Sequence, residues 1–115
     1  MEPTGEDWRT PGTRALVTAL LSLRTEDEVE RFLRDLCTLG ELRDLAQRWA
    51  VVRLLHEGLH YADISRRTGA STATITRIAS WLRHGRGGYA LALARTSDAA
   101  ASGGVEAEPA TRAAR

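Results

Sequence analysis

Two isoleucine-bearing stretches flank Gly69, and this arrangement constrains the fold more than any other part of the chain. Residues 61–68 carry Ile64, and residues 72–83 carry Ile75, Ile78 and Leu82 at helical spacing. Gly69 lies between them, where a sharp reversal needs a residue that tolerates positive φ. The spacing predicts two short helices joined by a tight turn. Ile64 would face Ile75 and Ile78, with the small Ser65 where the helices approach. Ser65 and Thr68 are more polar than such a turn usually carries.

The second of these helices opens with Ser71, Thr72, Ala73 and Thr74. Small residues let a backbone come close to a duplex. Their hydroxyls can bond phosphates or base edges, and the methyls of Ala and Thr can touch a thymine methyl. A helix N-terminus also favours a phosphate. Thr76 and Arg77 follow one turn on, Arg66 and Arg67 end the first helix, and Arg83, His84 and Arg86 stand at the far end. Three threonines in one turn and a half lower helix propensity, which points to a surface with a purpose. This is the pattern of a helix-turn-helix that lays its second helix in the major groove. The candidate contacts to double-stranded DNA are Arg66, Arg67, Ser71, Thr72, Ala73, Thr74, Thr76, Arg77 and Arg83.

The formal net charge of +1 hides an uneven distribution. Residues 1–42 hold five arginines against nine acids, whereas residues 43–86 hold eight arginines against three. The basic block coincides with the two-helix segment and the helix before it, as a nucleic-acid binder requires. The alternative is a solvated surface with a chance asymmetry. Arginine is the only basic residue besides histidine, which codon usage in a genome rich in G and C explains without a functional argument.

Elsewhere the apolar periodicity is helical and no strand pattern occurs. A first helix over 13–23 carries Leu16, Ala19, Leu20 and Leu23. Thr25 and Glu28 form a capping box for a second helix, running to about Leu36 with Val29, Phe32, Leu33 and Leu36 inward. Thr38 and Glu41 open a third helix, to about His56, striped by Leu42, Leu45, Ala46, Trp49, Val52 and Leu55; Gly58 ends it. A short sixth helix spans about 89–95. Residues 1–12 and 96–115 are too polar or too simple to join a core and are expected to be disordered. The domain is thus all-α, with six helices over 13–95. Its core is thin for about 80 residues, which favours a partner subunit.

Several residues resemble the Trp repressor superfamily, most closely its YerC/YecD-like branch. They are Asp35-Leu36-Cys37-Thr38, Leu45-Ala46-Gln47-Arg48, Leu55-His56-Glu57-Gly58, Tyr61 and Thr68-Gly69-Ala70-Ser71-Thr72-Ala73-Thr74-Ile75-Thr76-Arg77. The resemblance spans about residues 14–95. It implies an intertwined homodimer whose two heads read successive major grooves, and an activity in transcriptional regulation, most often repression. It also implies an effector pocket at Thr38, Arg48 and Arg77, the positions that hold tryptophan in the Trp repressor. There the indole packs on a glycine after the second arginine. This chain has Ile78 at that place, and Trp81 replaces a serine three residues further on. Free tryptophan is therefore not expected to bind; another small-molecule effector is left open, and Arg48 and Arg77 become structural or phosphate contacts. Tyr61 and Ala62 stand where the repressor has polar and basic side chains, so its operator does not carry over.

Other chemistries find no support in the sequence. His56 and His60 are four apart, but Gly58 lies between them and no third ligand is near, so no metal site is expected. Glu26, Asp27 and Glu28 read as a solvated helix start, and Cys37, the only cysteine, as a small buried side chain rather than a reactive thiol. Trp49 follows the core stripe; Trp8 in the N-terminal arm is either unattached or an anchor on a partner. No nucleophile stands with a base, and no phosphate loop or cofactor motif occurs, so an enzyme is not expected. No apolar run matches a membrane span and no signal-peptide pattern opens the chain. A cytoplasmic, nucleoid-associated protein is the expectation. A protein-interaction module that keeps the fold without reading DNA is the competing one.

Overall fold

A computed structural model of the chain describes residues 7–103 as six α-helices, with no strand among the described residues. They are α1 (Pro11–Leu21), α2 (Glu26–Leu36), α3 (Leu39–His56), α4 (Tyr61–Thr68), α5 (Thr72–His84) and α6 (Gly88–Gly103). The chain divides into two compact units, Met1–Arg43 and Asp44–Arg115.

In the first unit, local capping sets the helix starts. The Thr10 hydroxyl accepts from the Thr13 amide, and Pro11 takes the first turn, where its missing N–H costs nothing. This moves α1 two residues ahead of the expected start, so residues 10–12 belong to a helix and its cap. Just before it, Arg9 stacks over the exposed Trp8 ring at 4.5 Å. Thr25 caps α2 by accepting from the Glu28 amide. The Glu28 carboxylate reaches back one residue further than the expected box, to the Arg24 amide at 2.7 Å. Thr38 and Glu41 form the reciprocal box in full: Glu41 N–H donates to the Thr38 hydroxyl and Thr38 N–H to the Glu41 carboxylate. Neither α1 nor α2 contains a buried residue, and Leu16, Val17, Leu20, Leu21, Val29 and Leu36 are exposed.

The second unit holds the core. Val51, Val52 and Leu54 of α3, Ile64 of α4, Ala70 in the turn after it, Ile75 and Ile78 of α5, and Leu93 of α6 form one buried cluster. Trp49, Leu55, Leu59, Tyr61, Leu82 and Tyr89 pack around it, with the Trp49 and Tyr89 rings 6.4 Å apart. The α3 stripe differs from the expected one. Val51 and Leu54 are buried beside Val52, while Leu45 and Ala46 are exposed. A single stripe presumes cover on one side. Here α4, α5 and α6 all contribute to the cluster around the C-terminal half of α3, and the residues at 45 and 46 receive no such cover.

Gly58, at φ +88°, ends α3 in a Schellman motif: Leu59 N–H donates to the Leu54 carbonyl and Gly58 N–H to that of Leu55. The α6 helix continues to Gly103, eight residues past the expected end, through a segment that includes Ala99, Ala100 and Ala101, the residue type of highest helix propensity. The expected disorder at residues 1–6 and 104–115 lies outside the described residues. Ile64 is fully buried at the centre of this unit. Ile64→Asp should destabilise it by more than about 3 kcal/mol, because an unpaired charge would be buried. Chemical denaturation followed by circular dichroism measures the loss.

Candidate nucleic-acid interface

The turn between α4 and α5 is closed by short-range hydrogen bonds. Gly69 sits at φ +80°, ψ 0°, a left-handed conformation, and its N–H donates to the Ser65 carbonyl at 2.8 Å. The Ser65 hydroxyl donates to the Ala70 carbonyl at 2.7 Å. The Thr68 hydroxyl donates to the Ile64 carbonyl and accepts from the Ala70 amide. The unusual polarity of Ser65 and Thr68 thus has a physical cause: these side chains satisfy the carbonyl and amide of Ala70, which the tight turn leaves without helical partners. From α3, Gln47 adds a further bond, its Nε2 donating to the Thr68 carbonyl at 3.1 Å. The pattern of apolar residues gave no sign of this contact.

Beyond the turn, α5 separates its two sides cleanly. Ile75, Ile78 and Ala79 are buried and Leu82 is half-buried. Thr72, Ala73, Thr76, Arg77 and Ser80 are exposed, as are Arg83 and His84 at the C-terminal end. Ser80 falls in the middle of the exposed side and was not among the expected contacts, although helical spacing from Ala73 and Thr76 would have found it.

Ser71 and Thr74 have local duties. The Ser71 hydroxyl accepts from the Thr74 amide, so Ser71 is the N-cap of α5, and it also donates to the Thr74 hydroxyl at 3.1 Å. Thr74 is half-buried. Its hydroxyl is thus engaged at the cap, and Thr74 is a flanking position rather than a member of the open face. Arg66 and Arg67 are exposed at the end of α4, with Arg66 paired to Asp63 in the same helix. That exposed pair adds little stability and leaves the guanidinium available for exchange to another anion. Tyr61, by contrast, packs against the core.

Of the expected effector residues, Arg48 and Arg77 are exposed and the Thr38 hydroxyl is occupied as the N-cap of α3. Ile78 is buried in the core cluster, whereas Trp81 is exposed. Among the described residues, no three His, Cys, Asp or Glu side chains form a group that could hold a metal ion, and no helix is long and apolar enough to cross a membrane.

The chain is all-helical among the described residues, with a tightly turned helix pair whose one side is open and arginine-bearing. The family model for the Trp repressor protein matches residues 12–97, and the chain belongs to that family. It is 46% identical over 83 residues to YerC of Bacillus subtilis, covering 72% of this chain and 80% of YerC. It is 41% identical over 64 residues to a Trp operon repressor homolog of Chlamydia trachomatis, covering 51% of this chain and 68% of the relative. Among solved structures, a TrpR-like protein from Eubacterium eligens matches with a TM-score of 0.74 at 40% identity, covering 77% of this chain and 92% of that one. A candidate Trp repressor from Staphylococcus aureus matches with a TM-score of 0.76 at 35% identity, covering 84% and 96%.

The N-cap geometry sets a stability test. Ser71→Ala should cost about 1 kcal/mol, as loss of a hydroxyl cap does. Thr76→Ala, on the open side, should leave stability within about 0.5 kcal/mol. Urea denaturation of the two variants side by side checks the difference.

Proposed function

We propose that the protein is a sequence-specific regulator of transcription that binds double-stranded DNA as a homodimer and acts as a repressor. The α5 helix would lie in the major groove, with Thr72, Ala73, Thr76 and Arg77 toward the bases. Arg66, Arg67 and Arg83 would lie toward phosphates, and Ser71 and Thr74 at the groove entry. One observation carries this most: the side of α5 that is free of the core bears small hydroxyl residues and an arginine, while the opposite side is anchored by Ile75 and Ile78. That combination suits close approach and base-edge contact. The excess of arginine over acid between residues 43 and 86 supplies attraction to phosphate.

A homodimer accounts for helices that have no buried residue of their own. The exposed Leu16, Val17, Leu20 and Leu21 of α1, with Val29 and Leu36 of α2, form apolar surface of the kind a second copy covers. In such a dimer the two heads would sit about 34 Å apart, one turn of the duplex. Free tryptophan is not its effector, since Ile78 and Trp81 replace the small residues that admit an indole in the resemblance. Thr38, Arg48 and Arg77 would then serve a different small molecule or none. The site of action would be the cytoplasm, at the nucleoid.

Fluorescence polarisation on duplexes selected from genomic fragments tests the reading. Affinity should fall linearly in log–log form as salt rises. With at least four phosphates neutralised, the slope should be steeper than about −3.6. A flat or absent response would overturn DNA binding and favour a protein-interaction module. Arg77→Ala should weaken binding by roughly tenfold or more if it reads a base edge. Thr76→Asp should abolish binding while sedimentation still shows a dimer. Calorimetry with L-tryptophan should give no saturable heat.

A further inference from the structure

Gln47 makes the longest-range side-chain hydrogen bond found among the described residues. Its Nε2 donates to a carbonyl 21 positions away, while every other such bond there spans five residues or fewer. The acceptor, the Thr68 carbonyl, lies at the C-terminal end of α4, where helix carbonyls lack partners in their own ladder. The same nitrogen is 3.8 Å from where a Cβ on Gly69 would stand, so the amide lies against the turn itself.

We propose that Gln47 is a positioning residue for DNA recognition, holding the α4–α5 turn at one angle to α3 and so fixing how α5 enters the groove. This rests on the DNA-binding reading above. The isoleucine contacts beneath the turn hold the helices together, but burial of apolar surface is not directional. A hydrogen bond from a half-buried amide is directional, and it acts four residues before α5 begins. A small rotation at that point is carried along α5 to Thr76 and Arg77, and recognition requires such groups within about half an ångström of their place.

Gln47→Met keeps side-chain length and helix propensity but removes the donor. Gln47→Glu keeps the shape and sets an acceptor against the carbonyl. Both are compared with the wild-type full chain by polarisation, using a duplex selected from genomic fragments and a random duplex of equal length. The temperature is one at which circular dichroism shows each variant fully folded. Gln47→Met should lose about fivefold or more in affinity for the selected duplex and stay within about twofold on the random one. Gln47→Glu should lose more on the selected duplex. A merely structural role would leave the selected-to-random ratio unchanged once folding is complete, and that result in Gln47→Met overturns the proposal. The wild-type control separates the two failures: if it binds neither duplex in a salt-dependent way, the DNA-binding reading itself has failed.

Discussion

Burial of Ile64, Ile75 and Ile78 in one cluster with Val51 and Val52 is the contact on which the arrangement depends. Each such side chain contributes about 1.5–3 kcal/mol when fully removed from water. Because a helix repeats every 3.6 residues, burying positions 75, 78 and 79 turns positions 73, 76, 77 and 80 outward. The exposed side of α5 is therefore a consequence of core packing. Nothing else needs to orient Arg77 away from the protein.

Polar contacts then refine what burial leaves loose. Ser65, Thr68 and Gln47 satisfy backbone groups around Gly69 that a two-helix turn exposes at the edge of an apolar core. Left without partners, those groups would cost more than the bonds return in net stability. The first unit has no comparable core. Its helices α1 and α2 are well capped, but all of their leucines and valines except the half-buried Leu33 stay exposed. Capping fixes where these helices begin; it cannot supply the burial that most helical stability needs.

Much of this was legible in the residues. The all-α class, the limits of α2, α3 and α4, and the inward set Ile64, Ile75 and Ile78 followed from spacing and from the glycines at 58 and 69. Membership of the Trp repressor family followed from the Leu45–Arg48 and Thr68–Arg77 motifs. The exposure of Arg66, Arg67, Thr72, Ala73, Thr76, Arg77 and Arg83 agrees with their choice as candidates, though exposure alone assigns no role. Other features were hidden for physical reasons. The α3 face was misread because helices gather around its C-terminal half, and one-sided periodicity does not encode that. Thr74 looked open because composition does not reveal which hydroxyl a cap will engage. Gln47 was invisible as a brace because a contact across 21 residues leaves no local trace. The start of α1 and the end of α6 shifted with a threonine–proline cap and an alanine-rich run, both of which resemble tail sequence.

The most direct test of the central claim is a chemical-shift titration of the isotope-labelled protein with a selected duplex. The account predicts the largest amide shifts at Thr72, Ala73, Thr76, Arg77 and Ser80, with Val51 and Val52 nearly unmoved. Large shifts confined to α1, α2 or α6, with α5 silent, would contradict it.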